Sequence, residues 1–435
     1  MNANTTTATG SVSPAADAPA ARPTKTRWLI LFLISLMYLI CYMDRSNISV
    51  AQPEIAKAFG LNKSSMALVL SAFTWSYALG QIPAGWLGDR LGPKKVLTAI
   101  MSWWSIAAML TGAAFGLGSL FAARFLLGLG EAGAFPVASR GMQLWFPRSE
   151  RGRIQGTTHF FSRFAVAVTP FVAASILLAF GWRTIFYIFG SLGLVWAAVF
   201  ALYYKNRPEE HTGVNPAELA QIRGQAVAAP AAQSVPWKQI LGSPNMWYIA
   251  LGYGCFFFGT NFYLTWYPTY LREHRHMTLQ ALGILGSIPL FAGMAGDLAG
   301  GSLSDFVFKK TGKARFARSI VAAPGFLLSG IFLIPAATTG STWASVLCLA
   351  TSFFFLEFVI GPAWAVPMDV GGQFSGTVTA IMNMAGALAA SLTPLIFGYY
   401  FGKGSWDIPF VITSCVMLLG ALIWTFLINP ERSVV

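Results

Sequence analysis

Twelve times along this chain, a predominantly apolar run of about 20 residues or more gives way to a short polar or glycine-containing connection. Such a run reaches across the hydrocarbon core of a bilayer as a helix. No water there replaces a lost backbone hydrogen bond, so the helix must satisfy its own N–H and C=O groups. The predicted spans are 28–51, 64–88, 95–115, 118–144, 152–180, 182–204, 245–271, 278–306, 316–338, 342–368, 373–401 and 406–428. Composition agrees: 55% of residues are hydrophobic and 10% are charged, against about 25% charged in soluble proteins. The fold class is therefore an all-α polytopic membrane protein. The formal charge of +13 sits mostly in short connections, where it sets topology and gives no ground for a nucleic-acid partner.

Those connections fix an orientation. Arg22, Lys25 and Arg27 precede span 1, and Arg90, Lys94 and Lys95 follow span 2. Arg148, Arg151 and Arg153 follow span 4, and Lys309, Lys310, Lys313, Arg315 and Arg318 follow span 8. The positive-inside rule places all of them, and both termini, in the cytoplasm. The mixed run Arg272-Glu273-His274-Arg275-His276 after span 7 is the exception. The chain divides into an N-terminal tail (1–27), a six-helix bundle (28–204), a cytoplasmic linker (205–243), a second bundle (244–429) and a C-terminal tail (430–435). The Ala/Thr/Pro-rich N-terminal tail reads as disordered and not as a signal peptide. A short surface helix is predicted in the linker near Pro216–Arg223. Cys41, Cys255, Cys348 and Cys415 lie in apolar runs and read as small core residues.

The two bundles repeat a loop. Gly85-Trp86-Leu87-Gly88-Asp89-Arg90-Leu91-Gly92-Pro93-Lys94-Lys95 closes span 2, and Gly301-Ser302-Leu303-Ser304-Asp305 with Lys309 and Lys310 closes span 8. Asp89 and Asp305 are 216 positions apart, almost half the chain. Two six-span halves with a site at the midplane between them is a transporter architecture. Asp89, Arg90 and Asp305 are candidate gating residues that hold one end closed; plain topology marking is the simpler alternative.

Inside the spans stand charges that a bilayer resists. Tyr42-Met43-Asp44-Arg45 ends sixteen uncharged residues, and Arg124 and Glu131 lie in span 4. A charge near the bilayer centre costs about 2.5–3.5 kcal/mol on insertion scales, so it faces a cavity or a partner and is a functional candidate. Tyr42, Arg45 and Ser49 share one helical stripe, and Arg124 and Glu131 lie two turns apart on one face. Crosswise pairing of Asp44 with Arg124 and Arg45 with Glu131 would make the four tolerable in low dielectric. The plainer reading is that such pairs only tie spans 1 and 4 together. Span 5 adds His159 and Arg163, one turn apart. A guanidinium matches a carboxylate with two parallel hydrogen bonds, although Arg163 can instead pair with an acid, and a lone buried histidine is more often a satisfied hydrogen-bond partner. The other candidates are Tyr77 on span 2, Trp364 on span 10 and Asn383 on span 11, suited to stacking and hydroxyl recognition. Asp297 and Glu357 are intramembrane acids with no role assigned from sequence. No phosphate-binding Gly-Lys-Ser/Thr loop, metal-ligand spacing or nucleophile constellation is present, so no enzyme activity and no cofactor are expected.

These loops and motifs resemble the major facilitator superfamily. The carrying residues are the Gly85–Lys95 loop and Arg124-Phe125-Leu126-Leu127-Gly128-Leu129-Gly130-Glu131-Ala132, where Leu127 stands at the usual Gln position. Within it the chain is most similar to the anion:cation symporters, such as bacterial galactonate, glucarate, hexuronate, tartrate and phthalate carriers. Tyr42-Met43-Asp44-Arg45, Gly128–Pro136, Trp145-Phe146-Pro147 with Glu150-Arg151, Trp266–Leu271 and Asn383-Met384-Ala385-Gly386 carry that likeness. The resemblance implies the major facilitator fold, with twelve transmembrane helices in two pseudo-symmetric six-helix halves. It further implies a monomer in a bacterial inner membrane that brings a small organic anion, a sugar acid or related carboxylate, into the cell with protons by alternating access. It makes Asp44 and Glu131 the proton carriers and Arg45 the anion ligand, with Tyr42, Tyr77, Arg124, His159, Arg163, Trp364 and Asn383 around the substrate. Ser162-Arg163 departs from a Gln-bearing pattern and points away from a simple aldonate, to a second anionic group, a keto-acid or an aromatic carboxylate. The alternatives left open are an aromatic-carboxylate or tartrate carrier, a drug or metabolite efflux antiporter and a non-transporting membrane receptor.

Overall fold

The computed structural model describes residues 22–223, 234–277 and 285–435. Most of the predicted disordered tail (1–21), part of the predicted linker (224–233) and the predicted start of span 8 (278–284) lie outside them. Among the described residues there is no strand, and twelve helical spans follow one another. Spans 1 to 3 are α1 (Thr26–Phe59), α2 (Lys63–Leu91) and α3 (Pro93–Gly112). Span 4 is two helices, α4 (Leu117–Glu131) and α5 (Ala134–Trp145), and spans 5 and 6 are α6 (Arg151–Phe180) and α7 (Trp182–Tyr203). The linker carries α8 (Pro216–Arg223) and α9 (Trp237–Gly242). Spans 7 to 9 are α10 (Pro244–Thr265), α11 (Ile288–Thr311) and α12 (Ala314–Thr338). Span 10 is again two helices, α13 (Thr342–Glu357) and α14 (Ile360–Val370), and spans 11 and 12 are α15 (Ser375–Gly402) and α16 (Asp407–Leu422).

The halves pack alike. Span 1 lies on span 5, span 2 on span 4 and span 3 on span 6; span 7 lies on span 11, span 8 on span 10 and span 9 on span 12. Spans 2 and 11, and spans 5 and 8, meet across the halves. The 5–8 contact is close because of glycine: a Cβ on Gly156 would stand 2.1 Å from the carbonyl oxygen of Asp297. The outer surface is apolar, with Leu79, Phe115, Phe171, Leu178 and Leu202 more than 70% exposed. The centre instead buries Asp44, Arg124, Glu131, Arg163, Asp297 and Glu357. That inversion suits lipid outside and a polar pathway within.

Spans 4 and 10 break in the same place. Each helix stops at a buried glutamate, Glu131 or Glu357, and restarts within three residues. Pro136 and Pro362 lie five positions beyond those glutamates. Neither can donate to the carbonyl four residues back, on Ala132 or Phe358, so the helix opens there. Glu131-x4-Pro136 and Glu357-x4-Pro362 are thus a second internal repeat.

The Arg272–His276 run also has a structural use. Arg275 donates to the carbonyls of Ala336 and Thr339 at 2.8 and 2.6 Å and to the Tyr270 hydroxyl at 2.8 Å. Its charge caps the carbonyl end of span 9, which accounts for the exception to the loop-charge pattern.

Candidate functional site

Arg45 occupies the middle of the N-terminal half. Its Nε donates to Glu131 Oε2 at 2.7 Å, the crosswise pair expected between spans 1 and 4. Cys41, one turn earlier on span 1, donates its thiol to the same oxygen at 3.3 Å. Four rings surround the guanidinium carbon: Tyr77 at 4.4 Å, Tyr42 at 5.2 Å, Phe135 at 5.3 Å and Phe73 at 5.4 Å. Ring faces attract a cation, most strongly when it is desolvated. The Arg45 side chain keeps 20% of its surface exposed, whereas Glu131 keeps none. The arginine is thus partly accessible, with its Nη2 buried and unpartnered, while the glutamate is sealed.

The other expected pair does not close. Asp44 and Arg124 interact electrostatically at longer range, but no ion pair joins them. Neither oxygen of Asp44 receives a hydrogen bond, and Nε and Nη1 of Arg124 make none. Arg124 stacks instead on Phe73, at 5.2 Å. Helical periodicity gives the face of each residue but not the axial offset of two helices, and that offset leaves Asp44 short of its partner.

The second half adds a wall. Asn383 donates to the Tyr77 hydroxyl at 3.1 Å, joining spans 11 and 2. The Trp364 indole donates to the Tyr253 hydroxyl at 2.9 Å and stands 5.0 Å from His159 and 6.0 Å from Phe135. His159 Nδ1 meets the Gln155 carbonyl at 2.9 Å, one turn back in its own helix, which is the satisfied-histidine arrangement. Arg163 reaches across the halves to Glu357. Tyr253 is not singled out by the sequence, because it lies in an apolar run rich in residues that only pack; Cys41, read there as a small core residue, is a hydrogen-bond partner of Glu131. The Tyr42, Arg45, Tyr77, Trp364, Asn383 set converges on one region; Asp44 and Arg124 lie one layer outside it.

At the end that carries the termini, the two repeated aspartates make matching contacts. Asp89 accepts from the backbone N–H of Gly376 at 3.0 Å and Thr377 at 2.6 Å, and from the Thr377 hydroxyl at 2.7 Å. Asp305 accepts from the backbone N–H of Gly152 at 3.0 Å and Arg153 at 2.6 Å. Each carboxylate thus caps the first turn of a helix in the opposite half, span 11 or span 5, where free N–H groups and the helix dipole favour an anion. Arg140 approaches Asp89 to 3.8 Å and Arg318 approaches Asp305 to 2.6 Å. Arg90 is exposed over the Trp86 ring, and Arg140 supplies the cation at that contact. Arg151 adds a pair across the halves to Asp369 at 2.8 Å. Among the described residues no His, Cys, Asp and Glu group is arranged to hold a metal.

Two similar helical halves, an apolar outside, an ionisable centre and contacts across the halves at one end together define a secondary transporter of the multi-pass membrane class. The Major Facilitator Superfamily domain matches residues 34–394, and the chain belongs to that superfamily. It is 41% identical over 414 residues to a probable sulfoacetate transporter of Cupriavidus necator, covering 94% of this chain and 95% of that protein. It is 33% identical over 436 residues to a probable galactarate/D-glucarate transporter of Bacillus subtilis, covering 96% and 95%. The fucose:proton symporter of Escherichia coli has the same fold, with a TM-score of 0.73 at 14% identity over 92% of this chain and 99% of that one. The twelve-span major facilitator architecture expected from the sequence is the one observed, and the protein is a transporter and not an enzyme.

Proposed function

We propose that this protein carries a small organic anion into the cell together with protons, and that the preferred anion bears two negative groups. The observation that carries the reading is the Arg45 guanidinium, caged by aromatic rings, tied to buried Glu131 and partly exposed. An anionic head that takes over Arg45 releases Glu131, which then needs a proton to remain in a low-dielectric site. Anion and proton binding at this pair are therefore mutually favourable, and reciprocally so. Asp44 is the second proton carrier in this scheme. Arg163, one wall away, suits a second anionic head, and Tyr42, Tyr77, Trp364 and Asn383 position the body between them. Sulfoacetate and the aldarates each carry two anionic groups at neutral pH, so the names of the similar transporters support this class over a singly charged aldonate. Asp89 and Asp305 latch one end of a carrier in a bacterial inner membrane, and the loop charges support a cytoplasmic position for that end. The carrier acts as a monomer.

The test is counterflow and gradient-driven uptake in proteoliposomes, with labelled sulfoacetate, D-glucarate, D-galactonate and phthalate. Accumulation of a dianion that collapses with a protonophore supports the reading. Outward movement of cationic dyes with no anion uptake would replace it with efflux.

A further inference from the structure

Arg163, Glu357 and Asp297 form a second ionisable cluster, on spans 5, 10 and 8. Arg163 is 3% exposed and both acids are 0% exposed. Arg163 Nη2 donates to both Glu357 oxygens, at 2.7 and 2.9 Å, and Thr260 Oγ1 on span 7 donates to Oε1 at 3.5 Å. Asp297 interacts electrostatically with Glu357, and among the described residues no donor reaches either of its oxygens. Gly293, one turn before Asp297, makes room for the approach: a Cβ there would stand 3.1 Å from Glu357 Cγ.

The other groups facing the cluster add no cation that pairs with the acids. His159, on Arg163's own helix, is turned to the Gln155 carbonyl. Tyr263 on span 7 donates its hydroxyl to the Leu349 carbonyl. Tyr42 on span 1 and Tyr253 on span 7 lie towards Arg163. Among the described residues, Arg163 is the one basic side chain paired with these acids. The contrast with the N-terminal half is one of charge balance. There, Asp44 and Glu131 face Arg45 and Arg124, two against two. Here, two carboxyls face one guanidinium. Two neighbouring carboxylates in a low-dielectric site with a single countercharge do not both ionise.

We infer that Asp297 and Glu357 share one proton, which makes the pair a second proton-binding site, in the C-terminal half. The proton sits on Asp297 and is donated to Glu357, which keeps its charge for Arg163. That gives one of the two Asp297 oxygens a hydrogen bond, as a donor. A consequence for transport follows, and it rests on the anion reading above. An anionic head that binds Arg163 in place of Glu357 leaves two carboxyls with no cation, so Glu357 takes up one further proton from the pathway. No bond other than the O–H bond forms or breaks in that step.

Infrared difference spectroscopy on the purified full-length protein, reconstituted in lipid at neutral pH, tests the shared proton without any substrate. The wild type is expected to show a protonated-carboxyl C=O stretch that shifts in D2O. Asp297→Asn removes it, because Glu357 alone is fully paired with Arg163. Glu357→Gln removes it too, because Asp297 becomes the sole acid beside Arg163. Each variant is checked for a monodisperse elution profile, and either one suffices should the other not fold. A spectrum that keeps every protonated-carboxyl band in the folded variant overturns the proposal. If the band behaves as expected while no anion is transported, the proton site stands and the anion reading falls.

Discussion

Arg163 and Glu357 lie 2.7 Å apart with side chains 4% and 0% exposed, and they belong to opposite halves of the molecule. The N-terminal half holds the matching contact, Arg45 to Glu131 at the same distance. In both, the glutamate is the last residue before the break in span 4 or span 10. The Glu-x4-Pro repeat therefore sets an acid at a weak point in each helix, where local rearrangement is least expensive.

Breaking the Arg163–Glu357 pair from one side leaves a buried charge without its partner. Arg163→Met is expected to lower stability by about 3–5 kcal/mol, and the double variant Arg163→Met/Glu357→Met to recover much of it. Thermal melting in detergent followed by size exclusion reads both. A melting temperature unchanged by Arg163→Met would contradict the pairing.

The caps at the end that carries the termini predict a shift in conformation. Asp89→Ala removes three accepted hydrogen bonds from the start of span 11, and loss of a cap costs about 0.5–2 kcal/mol. Asp305→Ala does the same at span 5. Spin-label distances between Lys95 and Lys309, on opposite halves at that end, should lengthen in either variant. Identical distributions in wild type and variants would show that the aspartates do not latch the halves.

Arg45 separates charge from geometry. Arg45→Lys keeps the positive charge but loses the planar fork that stacks on the surrounding rings and meets a carboxylate twice. Affinity for the anion identified by uptake should fall at least about tenfold, or 1.4 kcal/mol, by calorimetry. Equal affinity would remove Arg45 from the anion site.

Glu218, His211 and Asn215 are among the residues that dock the linker. Glu218 accepts from the Thr26 and Arg27 backbone N–H groups at 3.2 and 3.0 Å and so caps span 1. His211 Nδ1 accepts from the Gly213 N–H at 3.0 Å and packs on Trp145 and Tyr203. Burial of its ring lowers the His211 pKa below the ordinary 6.5. The folded form is thus neutral: its contribution is complete above the ordinary value and is lost as pH falls through the lowered one. Proteolysis of the linker should accelerate as pH falls below the ordinary histidine value and also in Glu218→Ala at neutral pH. Cleavage rates independent of both would show that neither contact holds the linker.

The spans were legible because each is a long apolar run, and the halves because Asp89 and Asp305 repeat with their glycines and basic followers. The Arg45–Glu131 pair was legible from two charges on facing stripes. What escaped was set by the offset between helices. Asp44 stops short of Arg124, Arg140 takes the place open to Arg90, and Glu357, unassigned from sequence, proves to be the partner of Arg163. The breaks at Glu131 and Glu357 left a signal that only comparison of the two halves brings out, Pro136 and Pro362 at equal spacing from their glutamates. Tyr253 left none, standing among the phenylalanines of span 7.

The most direct test of the coupling scheme is Glu131→Gln in proteoliposomes, followed by two readouts on one preparation. Exchange of labelled anion for unlabelled anion needs no net proton movement and should persist. Accumulation driven by an inward proton gradient should be lost, because the amide, like a permanently protonated carboxyl, leaves Arg45 free for the anion but can neither bind nor release a proton. Full gradient-driven accumulation by Glu131→Gln would contradict the assignment of Glu131 as the residue that couples anion to proton.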